Sequence, residues 1–257
     1  SYFQVYEEIF RNYIGKKITF VEVGVLAGGS LFMWKDYFGK NARVIGIDLN
    51  PEAKKWEKYG FEIFIGSQSR EKFWDYFYDK VGKIDILLDD GGHYNKQQIT
   101  TVYRSIPNIN DGGMIVIEDS HASYMSQWGN PSKFSFINFS KYMIDKINYR
   151  FSNIRLKKRN KAEKKVFSMS FYESIVVFNI NSKKCLVPEH ILSFGDPFSV
   201  VDFSRTEFFP NIQKFIDTKL SILKKIPIVK KIVRILFYRR NIIWQIKEYF
   251  LLKKFFK

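Results

Sequence analysis

Four short apolar runs that each end at an acidic residue constrain the fold of this chain more than any other feature. The runs are rich in Val, Ile or Leu and close at Glu22, Asp48, Asp89 and Glu118. Such runs are typical of buried parallel strands, whose carboxyl ends meet at one edge of a sheet and form a binding crevice. Four acidic strand ends within about one hundred residues favour a nucleoside cofactor held beside a metal site, and therefore an enzyme.

Helical and extended stretches alternate through the first 180 residues. The hydrophobic periodicity predicts helices over 2–13, 30–38, 51–59, 69–80, 95–106 and 132–146, and strands over 18–23, 43–48, 62–65, 84–88, 114–117, 166–172 and 174–180. The last two strands are separated only by Glu173, and so short a link requires an antiparallel pair. We therefore expect an α/β fold of three layers, doubly wound around a seven-stranded, mostly parallel sheet with a terminal antiparallel strand pair, followed by a C-terminal helical extension.

The positive charge of the chain is concentrated at its C-terminal end. Twelve Lys or Arg stand against one acid over residues 218–257, so this segment carries most of the net charge of +16. Apolar residues recur there at helical steps, which predicts a basic amphipathic tail joined to a domain over 1–180 by a loop-rich connection over 181–217. Two interpretations stay open: the apolar face packs on the protein itself or on a second copy in a homo-oligomer, or the tail lies on an anionic membrane surface.

The cysteine content and the hydropathy bear on the cellular compartment. Cys185 is the only cysteine in the sequence, which excludes an internal disulfide or a cysteine metal cluster and suits a reducing compartment. No run of 18 apolar residues occurs, and the first residues read as an amphipathic helix, unlike a signal peptide. The sequence lacks an initiator Met, so its N-terminus is not necessarily complete. We expect a cytoplasmic protein, at the inner face of the membrane if the tail binds lipid.

The turn after the first strand has the features of a cofactor site. Gly24, Gly28 and Gly29 allow a tight turn without a Cβ, but their spacing departs from the Gly-x-Gly-x-x-Gly fingerprint of NAD and FAD sites. Asp48 ends the second strand, where a carboxylate can accept hydrogen bonds from both ribose hydroxyls. The alternative is that the glycines form only a tight turn and that Asp48 caps a helix.

Acidic residues and a histidine follow the fourth and fifth strands. Asp89, Asp90 and His93 come after the fourth strand, and Glu118 and Asp119 after the fifth. Neighbouring parallel strands would bring the carboxylates of Asp90, Glu118 and Asp119 together. Their mutual repulsion favours a neutralising cation, and oxygen ligands suit Mg²⁺. His93 can face the same cavity and remove a proton from a substrate hydroxyl. The alternative is that these acids cap helices or are solvated.

Several short motifs recur in order along residues 1–180. They are Glu22-Val-Gly, Gly46-Ile-Asp48, Gly66-Ser-Gln68, Asp89-Asp-Gly-Gly-His93, the Gln97-Gln98 pair, Gly112-Gly113, Ile117-Glu-Asp119 and Ser123-Tyr124. Together they resemble the class I S-adenosylmethionine-dependent methyltransferases. Within that class the chain is similar to the metal-dependent sugar O-methyltransferases of the macrocin and mycinamicin type and to their relatives in bacterial polysaccharide clusters.

The resemblance implies Mg²⁺-assisted methyl transfer from S-adenosylmethionine to a hydroxyl of a sugar or polysaccharide-related acceptor. It implies that Glu22 and Gly24 border the methionine part of the cofactor and that Asp48 binds the ribose. The family usually has an Asp where this chain has Ser67, so Ser67 or Gln68 would contact the adenine. The implied sites are His93 and Asp90 for catalysis; Glu22, Gly24, Ser30, Asp48, Ser67, Gln68 and Asp89 for the cofactor; and Asp90, Glu118 and Asp119 for the metal.

Some alternatives remain open. His121 is either a rival base or a loop residue, and the loop with Tyr124 and Trp128 either closes over the acceptor, a small molecule or glycan, or packs for stability. A nucleic-acid methyltransferase is disfavoured, because the charge lies in the tail and the Asn/Asp-Pro-Pro-aromatic signature is absent; we expect no nucleic-acid partner. A non-catalytic, membrane-associated scaffold is the other class.

Overall fold

The computed structural model describes residues 2–128, 132–151, 164–186, 249–250 and 252–256. The chain divides into two compact units, Ser1–His190 and Ile191–Lys257, and the fold below is that of the first. The predicted connection over 181–217 and the predicted helical tail over 218–257 lie almost wholly outside the described residues, so the domain boundaries stay predictions. Within the described part of the chain, no helix is both long and apolar enough to cross a bilayer.

A seven-stranded sheet forms the centre of the first unit. Its strands are β1 (Thr19–Val23), β2 (Arg43–Asp48), β3 (Glu62–Ile65), β4 (Ile84–Asp89), β5 (Ile109–Ile117), β6 (Val166–Tyr172) and β7 (Ile175–Ile180). They lie in the order β3-β2-β1-β4-β5-β7-β6. The first five strands are parallel, and β7 is antiparallel to both of its neighbours. The predicted sheet, mostly parallel with a terminal antiparallel pair, is confirmed.

Helices cover both faces of this sheet. They are α1 (Tyr2–Phe10), α2 (Gly29–Phe38), α3 (Glu71–Val81), α4 (Asn95–Ser105) and α5 (Phe136–Asn148). The first two bury Phe10 and Trp34 against one face, and the other three bury Trp74 and Phe136 against the opposite face. Aromatic residues make up 18% of the sequence, and each fully buried ring stabilises the fold by roughly 1.5–3 kcal/mol.

Several predicted elements differ from the structure in type or bounds. The strand predicted over 114–117 begins at Ile109, and the helices predicted over 2–13 and 69–80 span Tyr2–Phe10 and Glu71–Val81. The segment Pro51–Tyr59 is a 3₁₀ helix, which begins where the Asn50 side chain accepts a hydrogen bond from the Glu52 N–H (3.0 Å). The helix predicted over 132–146 begins only at Phe136, because the hydroxyl of Ser135 caps it by accepting from the backbone N–H of Asn138 (3.3 Å). Capping side chains of this kind end the preceding loop.

Backbone hydrogen bonds between successive strand ends hold the functional turns in register. The N–H of Gly24 donates to the carbonyl of Ile47 (2.8 Å), and the N–H of Asp90 donates to that of Val23 (2.9 Å). One strand further, the N–H of Glu118 donates to the carbonyl of Asp89 (2.9 Å). The ends of β2, β1, β4 and β5 are therefore fastened side by side, and their polar residues emerge at a single edge.

Candidate active site

A cleft of about 450 Å³ opens at the carboxyl edge of the sheet. The predicted site residues that line it are Gly24, Asp48, Ser67, Gln68, Asp90 and His93. A second cavity, of about 370 Å³, is lined by side chains of α1 and α2 and by Glu22, Ser30, Asp90 and Glu118. Asp90 lines both cavities, while Asp89, predicted to touch the cofactor, is fully buried beneath the turn that follows β4.

Gly24 allows the turn after β1 to touch the turn after β4. Its φ is +97°, and a Cβ there would lie 2.1 Å from the carbonyl oxygen of Asp90. A side chain would therefore be both strained and in collision with backbone. The glycine predicted from the motif thus makes room for a neighbouring turn that carries Asp90.

Asp48 organises the loop at the mouth of the cleft. Its Oδ2 accepts hydrogen bonds from the backbone N–H groups of Val25 (2.8 Å) and Leu26 (3.0 Å), and its Oδ1 accepts from that of Asn50 (2.7 Å). Leu26 has a positive φ of +46°, so these bonds help to hold an uncommon backbone conformation. A carboxylate offers about four lone-pair positions, which leaves Asp48 able to accept from a ligand hydroxyl as well.

Glu22 is a buried acid with two fixed donors. The hydroxyl of Ser30 (2.8 Å) and the indole N–H of Trp34 (2.9 Å) donate to its two carboxylate oxygens. Burial raises the pKa of Glu22 to about 7; these two hydrogen bonds oppose the rise and the charge of Asp90 adds to it. The pair predicted for the cofactor, Glu22 and Ser30, is thus brought into contact on the α2 side of the edge.

Gln68 and Asp89 contact each other inside the protein. The Gln68 amide nitrogen donates to both carboxylate oxygens of Asp89, each at 2.9 Å, and both side chains are buried. Burial raises the pKa of Asp89, and the hydrogen bond from Gln68 opposes that rise. Ser67 lines the cleft as Gln68 does, and its hydroxyl lies 2.9 Å from that of Ser69.

Asp90, His93 and Asp119 form the cluster best arranged to hold a metal ion. Each can offer one ligand atom, and these atoms lie within 4.8 Å of one another. The Nε2 of His93 is 3.4 Å from Asp119 and 4.0 Å from Asp90. Burial raises the pKa of Asp90 to about 6; His93 opposes the rise, and the charges of Asp119 and Asp89 add to it. A divalent cation fits this cluster, because its charge would offset the cost of the converging carboxylates.

Glu118 does not join that cluster. Its carboxylate accepts a short hydrogen bond from the hydroxyl of Tyr6 in a buried environment. Burial raises the pKa of Glu118 to about 8, which the Tyr6 bond opposes and the charges of Asp90 and Asp119 reinforce. Of the three carboxylates predicted to converge, the structure therefore brings together two. Tyr6 occupies Oε1 of Glu118, and the metal-ligand role of Glu118 stays a prediction.

Two tyrosines of α1 reach the site, and the sequence reasoning missed them. Tyr6 contacts Glu118, and the hydroxyl of Tyr2 donates to Oδ1 of Asp119 (2.5 Å). Burial raises the pKa of Tyr2 to about 12 and also raises that of Tyr6, so both hydroxyls keep their protons as donors. Their four-residue spacing, which places them on one face of a helix, is the signal that could have indicated a shared target.

The structure also describes His121, the alternative base, and the loop that carries Trp128. Nδ1 of His121 lies 2.8 Å from the hydroxyl of Ser174, in a side chain that is 44% exposed. The indole of Trp128 stands edge-to-face against His93, with ring centroids 5.8 Å apart, and against Tyr94 at 5.1 Å. The loop therefore contacts the predicted base through Trp128, while His121 points to the β6–β7 turn.

Comparison with known proteins gives relatives in both sequence and structure. No protein-family model matches the chain. The 8-demethyl-8-alpha-L-rhamnosyl tetracenomycin-C 2'-O-methyltransferase of Streptomyces olivaceus is 33% identical over 131 residues, which are 48% of this chain and 34% of that protein. The mycinamicin VI 2''-O-methyltransferase of Micromonospora griseorubida is 29% identical over 157 residues, 56% of this chain and 39% of that protein. The chain spans about a third of the length of these curated relatives.

Among solved structures, the chain is similar to the MycE methyltransferase of the mycinamycin biosynthetic pathway, in complex with Mg and SAH. The TM-score is 0.65 with 23% identity, over 69% of this chain and 48% of that one. A further MycE structure, which also contains mycinamycin VI, gives a TM-score of 0.64. The chain thus has the class I S-adenosylmethionine-dependent methyltransferase fold, and its sequence is similar to those of sugar O-methyltransferases, as the motifs predicted.

Proposed function

We propose that this protein transfers a methyl group from S-adenosylmethionine to a hydroxyl of a sugar, with Mg²⁺ at Asp90 and Asp119 and with His93 as general base. The observation that carries the proposal is the convergence of those three side chains beside a 450 Å³ cleft at the carboxyl edge of a methyltransferase fold. The curated relatives, named for O-methylation at sugar positions, support the acceptor class.

The residues around the cleft suit the cofactor. Asp48 can accept the ribose hydroxyls while it holds the loop, and Ser67 keeps a hydroxyl at the cleft for the adenine. Glu22 lines the second cavity, which shares Asp90 with the cleft. Burial raises its pKa to about 7, and the ammonium group of a methionine moiety there would favour its ionised form. S-adenosylmethionine supplies the electrophilic methyl group, so the protein needs only to position and deprotonate the acceptor.

The residues of the cluster suit a hard divalent ion. Carboxylate oxygens of Asp90 and Asp119 are its preferred ligands, and the hydroxyl of Tyr2 fixes the position of Asp119. A bound Mg²⁺ would lower the pKa of a coordinated acceptor hydroxyl. Vicinal hydroxyls can chelate such an ion, which suits a sugar, and a glycoside and a polysaccharide chain present the same grouping.

His93 is placed to take the proton of the acceptor. Its Nε2 faces two carboxylates, whose charge stabilises the imidazolium that forms. Its backbone has a φ of +57°, and Trp128 packs against the ring, so both backbone and side chain are held. Imidazole suits Mg²⁺ poorly as a ligand, which favours the role of base over that of ligand.

Calorimetry with S-adenosylhomocysteine, with and without Mg²⁺, tests cofactor binding, and a screen of glycosides, nucleotide sugars and polysaccharide fragments tests transfer. We expect His93→Gln to lower kcat by about 10²–10⁴-fold while the Kd values for S-adenosylhomocysteine and Mg²⁺ stay within about threefold. His121→Gln is the comparison variant. The Nδ1 of His121 bonds to Ser174 and lies 3.9 Å from Oδ1 of Asp119, so this variant should lower kcat far less than His93→Gln does. Loss of Mg²⁺ binding in His93→Gln would make His93 a ligand, and a protein that binds no S-adenosylhomocysteine would refute the proposal.

A second part of the proposal concerns the binding partner of residues 218–257, which the sequence predicts to be basic and amphipathic. A soluble acceptor requires no membrane, so the two interpretations of the tail separate in one experiment. If it binds anionic lipid, deletion of residues 219–257 should abolish sedimentation with anionic vesicles and leave methyl transfer intact. An unfolded truncation, or a full-length protein that ignores vesicles at low salt, would favour packing on the protein or on a second copy.

A further inference from the structure

The side-chain amide of Gln68 connects three parts of the fold at one buried point. Its nitrogen donates to both oxygens of Asp89 at 2.9 Å, at the end of β4, and lies 3.1 Å from the Thr101 hydroxyl on α4. Its oxygen accepts from the backbone N–H of Gly92 (3.0 Å). The side chain is 5% exposed, so both ends of the amide are used inside the protein.

These bonds fix the turn that carries the predicted base. Gly92 directly precedes His93, whose φ of +57° is uncommon for a residue with a side chain and persists only where surrounding contacts hold it. Asp89 reaches the same turn, because its Oδ1 also accepts from the N–H of Gly91 (3.1 Å). A Cβ on Gly91 would lie 2.1 Å from the Gln68 oxygen, so amide and turn are in direct contact.

We propose that Gln68 is a positioning residue, whose amide holds the Asp89–His93 turn in the conformation that presents Asp90 and His93, instead of a contact for the adenine. Its effect on catalysis rests on the function proposed above. The contacts suit an amide, because its nitrogen donates to the Asp89 carboxylate and its oxygen accepts from a backbone N–H without any change of protonation. A carboxylate at this position would face Asp89 in a buried environment, where two like charges repel strongly.

Gln68→Glu is the most direct test, because it replaces the donating amide nitrogen with an oxygen and keeps the length and shape of the side chain. We expect kcat at saturating cofactor to fall about 10–100-fold, the affinity for Mg²⁺ to weaken, and the Kd of S-adenosylhomocysteine to stay within about threefold. The matched control is Asn110→Asp, since the amide of Asn110 donates to Asp85 (2.8 Å) at the opposite end of β4, away from the site. This control should keep kcat and Mg²⁺ affinity.

The double variant Gln68→Glu/Asp89→Asn restores an amide facing a carboxylate with the two groups exchanged. Both backbone N–H groups of the turn still find an acceptor in it. We expect kcat and Mg²⁺ affinity to return to within about threefold of wild type, including where the single variant is too unstable to purify. A double variant as inactive or as unfolded as the single one would overturn the proposal.

The outcome expected from adenine contact is different and equally measurable. In that case Gln68→Glu would raise the Kd of S-adenosylhomocysteine more than tenfold and leave kcat at saturation unchanged. Amide hydrogen exchange separates a failure here from a failure of the proposed function, because it needs neither cofactor nor activity. Exchange at Gly91 and Gly92, whose N–H groups donate to Asp89 and Gln68, should accelerate in Gln68→Glu, recover in the double variant and remain unchanged in Asn110→Asp. Equal protection in all variants would refute the positioning role even in a protein without methyltransferase activity.

Discussion

Replacing Gly24 with Ala should damage both stability and the metal cluster, because it drives one strand-end turn into the next. The added Cβ would meet the Asp90 carbonyl oxygen at 2.1 Å, its carbonyl carbon at 2.8 Å and the Gly91 Cα at 3.1 Å. Backbone hydrogen bonds of 2.8 and 2.9 Å, from Gly24 and from Asp90, hold the two turns against the strands. Neither turn can therefore retreat without weakening a bond.

The expected loss of stability combines three separate effects. A positive φ costs a residue with a Cβ about 1–2 kcal/mol, and overpacking costs about 1–3 kcal/mol, while the stiffer unfolded chain returns about 0.4–1 kcal/mol. The net loss for Gly24→Ala is about 3 kcal/mol. Gly60→Ala is the matched control, because Gly60 also has a positive φ (+87°), in the left-handed region, but a Cβ there would meet nothing within 4 Å. That control carries only the strain and the unfolded-state effect, so it should lose about 1 kcal/mol.

Thermal and urea unfolding measure the difference, which should be about 2 kcal/mol, or about 4–8 °C in Tm for a domain of this size. Calorimetry with Mg²⁺ then measures the consequence for the site, and we expect weaker Mg²⁺ binding in Gly24→Ala alone, because the displaced residue is a proposed ligand. Equal losses of stability in both variants would refute the close approach of the two turns. A destabilised Gly24→Ala with unchanged Mg²⁺ affinity would show that the displacement stops short of the Asp90 carboxylate.

Three further predictions concern single side chains of the site. Asp119→Asn should abolish Mg²⁺ binding by calorimetry while Glu118→Gln, whose carboxylate is held by Tyr6, keeps it; the reverse order would restore Glu118 as a ligand. Burial raises the pKa of Glu22 from 4.5 to about 7, so ionisation of Glu22 destabilises the folded state as the pH rises. In urea titrations of the cofactor-free protein, the free energy of unfolding of wild type should fall by about 3 kcal/mol between pH 4.5 and pH 8 relative to that of Glu22→Gln. Parallel pH curves would contradict that shift. Trp128→Ala should raise the KM for the acceptor about tenfold with little change for the cofactor, and an unchanged KM would confine Trp128 to packing.

The fold was largely predictable because its signals are local. Short apolar runs ending at Glu22, Asp48 and Asp89 indicate parallel strands, and the two-residue turn before Ile175 forces an antiparallel pair. Adjacent parallel strands then bring Asp90 near Asp119 by geometry alone. Strand ends could therefore be placed without knowing how any side chain packs.

The remainder of the site depends on tertiary contacts that no local pattern encodes. Whether Gln68 faces the cleft or turns inward to Asp89 depends on the partner that lies beneath it. Glu118 leaves the cluster because α1 docks across the strand ends and presents Tyr6 to it. Asp119 has a φ of +50°, so the backbone turns at this residue and its side chain leaves in a different direction from that of Glu118. Each outcome depends on the docking of a distant element.

The position of β7 has a consequence for how the chain is made. Although it is the last strand of the sheet in sequence, it lies between β5 and β6, and its alternate residues complete both hydrophobic cores: Val176 and Phe178 on one face, Ile175 and Val177 on the other. In a nascent chain, β5 is therefore an open edge strand, and both hydrophobic cores lack the side chains of β7, until about residue 180 has left the ribosome. Open edges and incomplete cores are the surfaces through which unfinished chains aggregate. We therefore expect chains interrupted before residue 180 to expose the edge of β5 and the core surfaces that β7 covers.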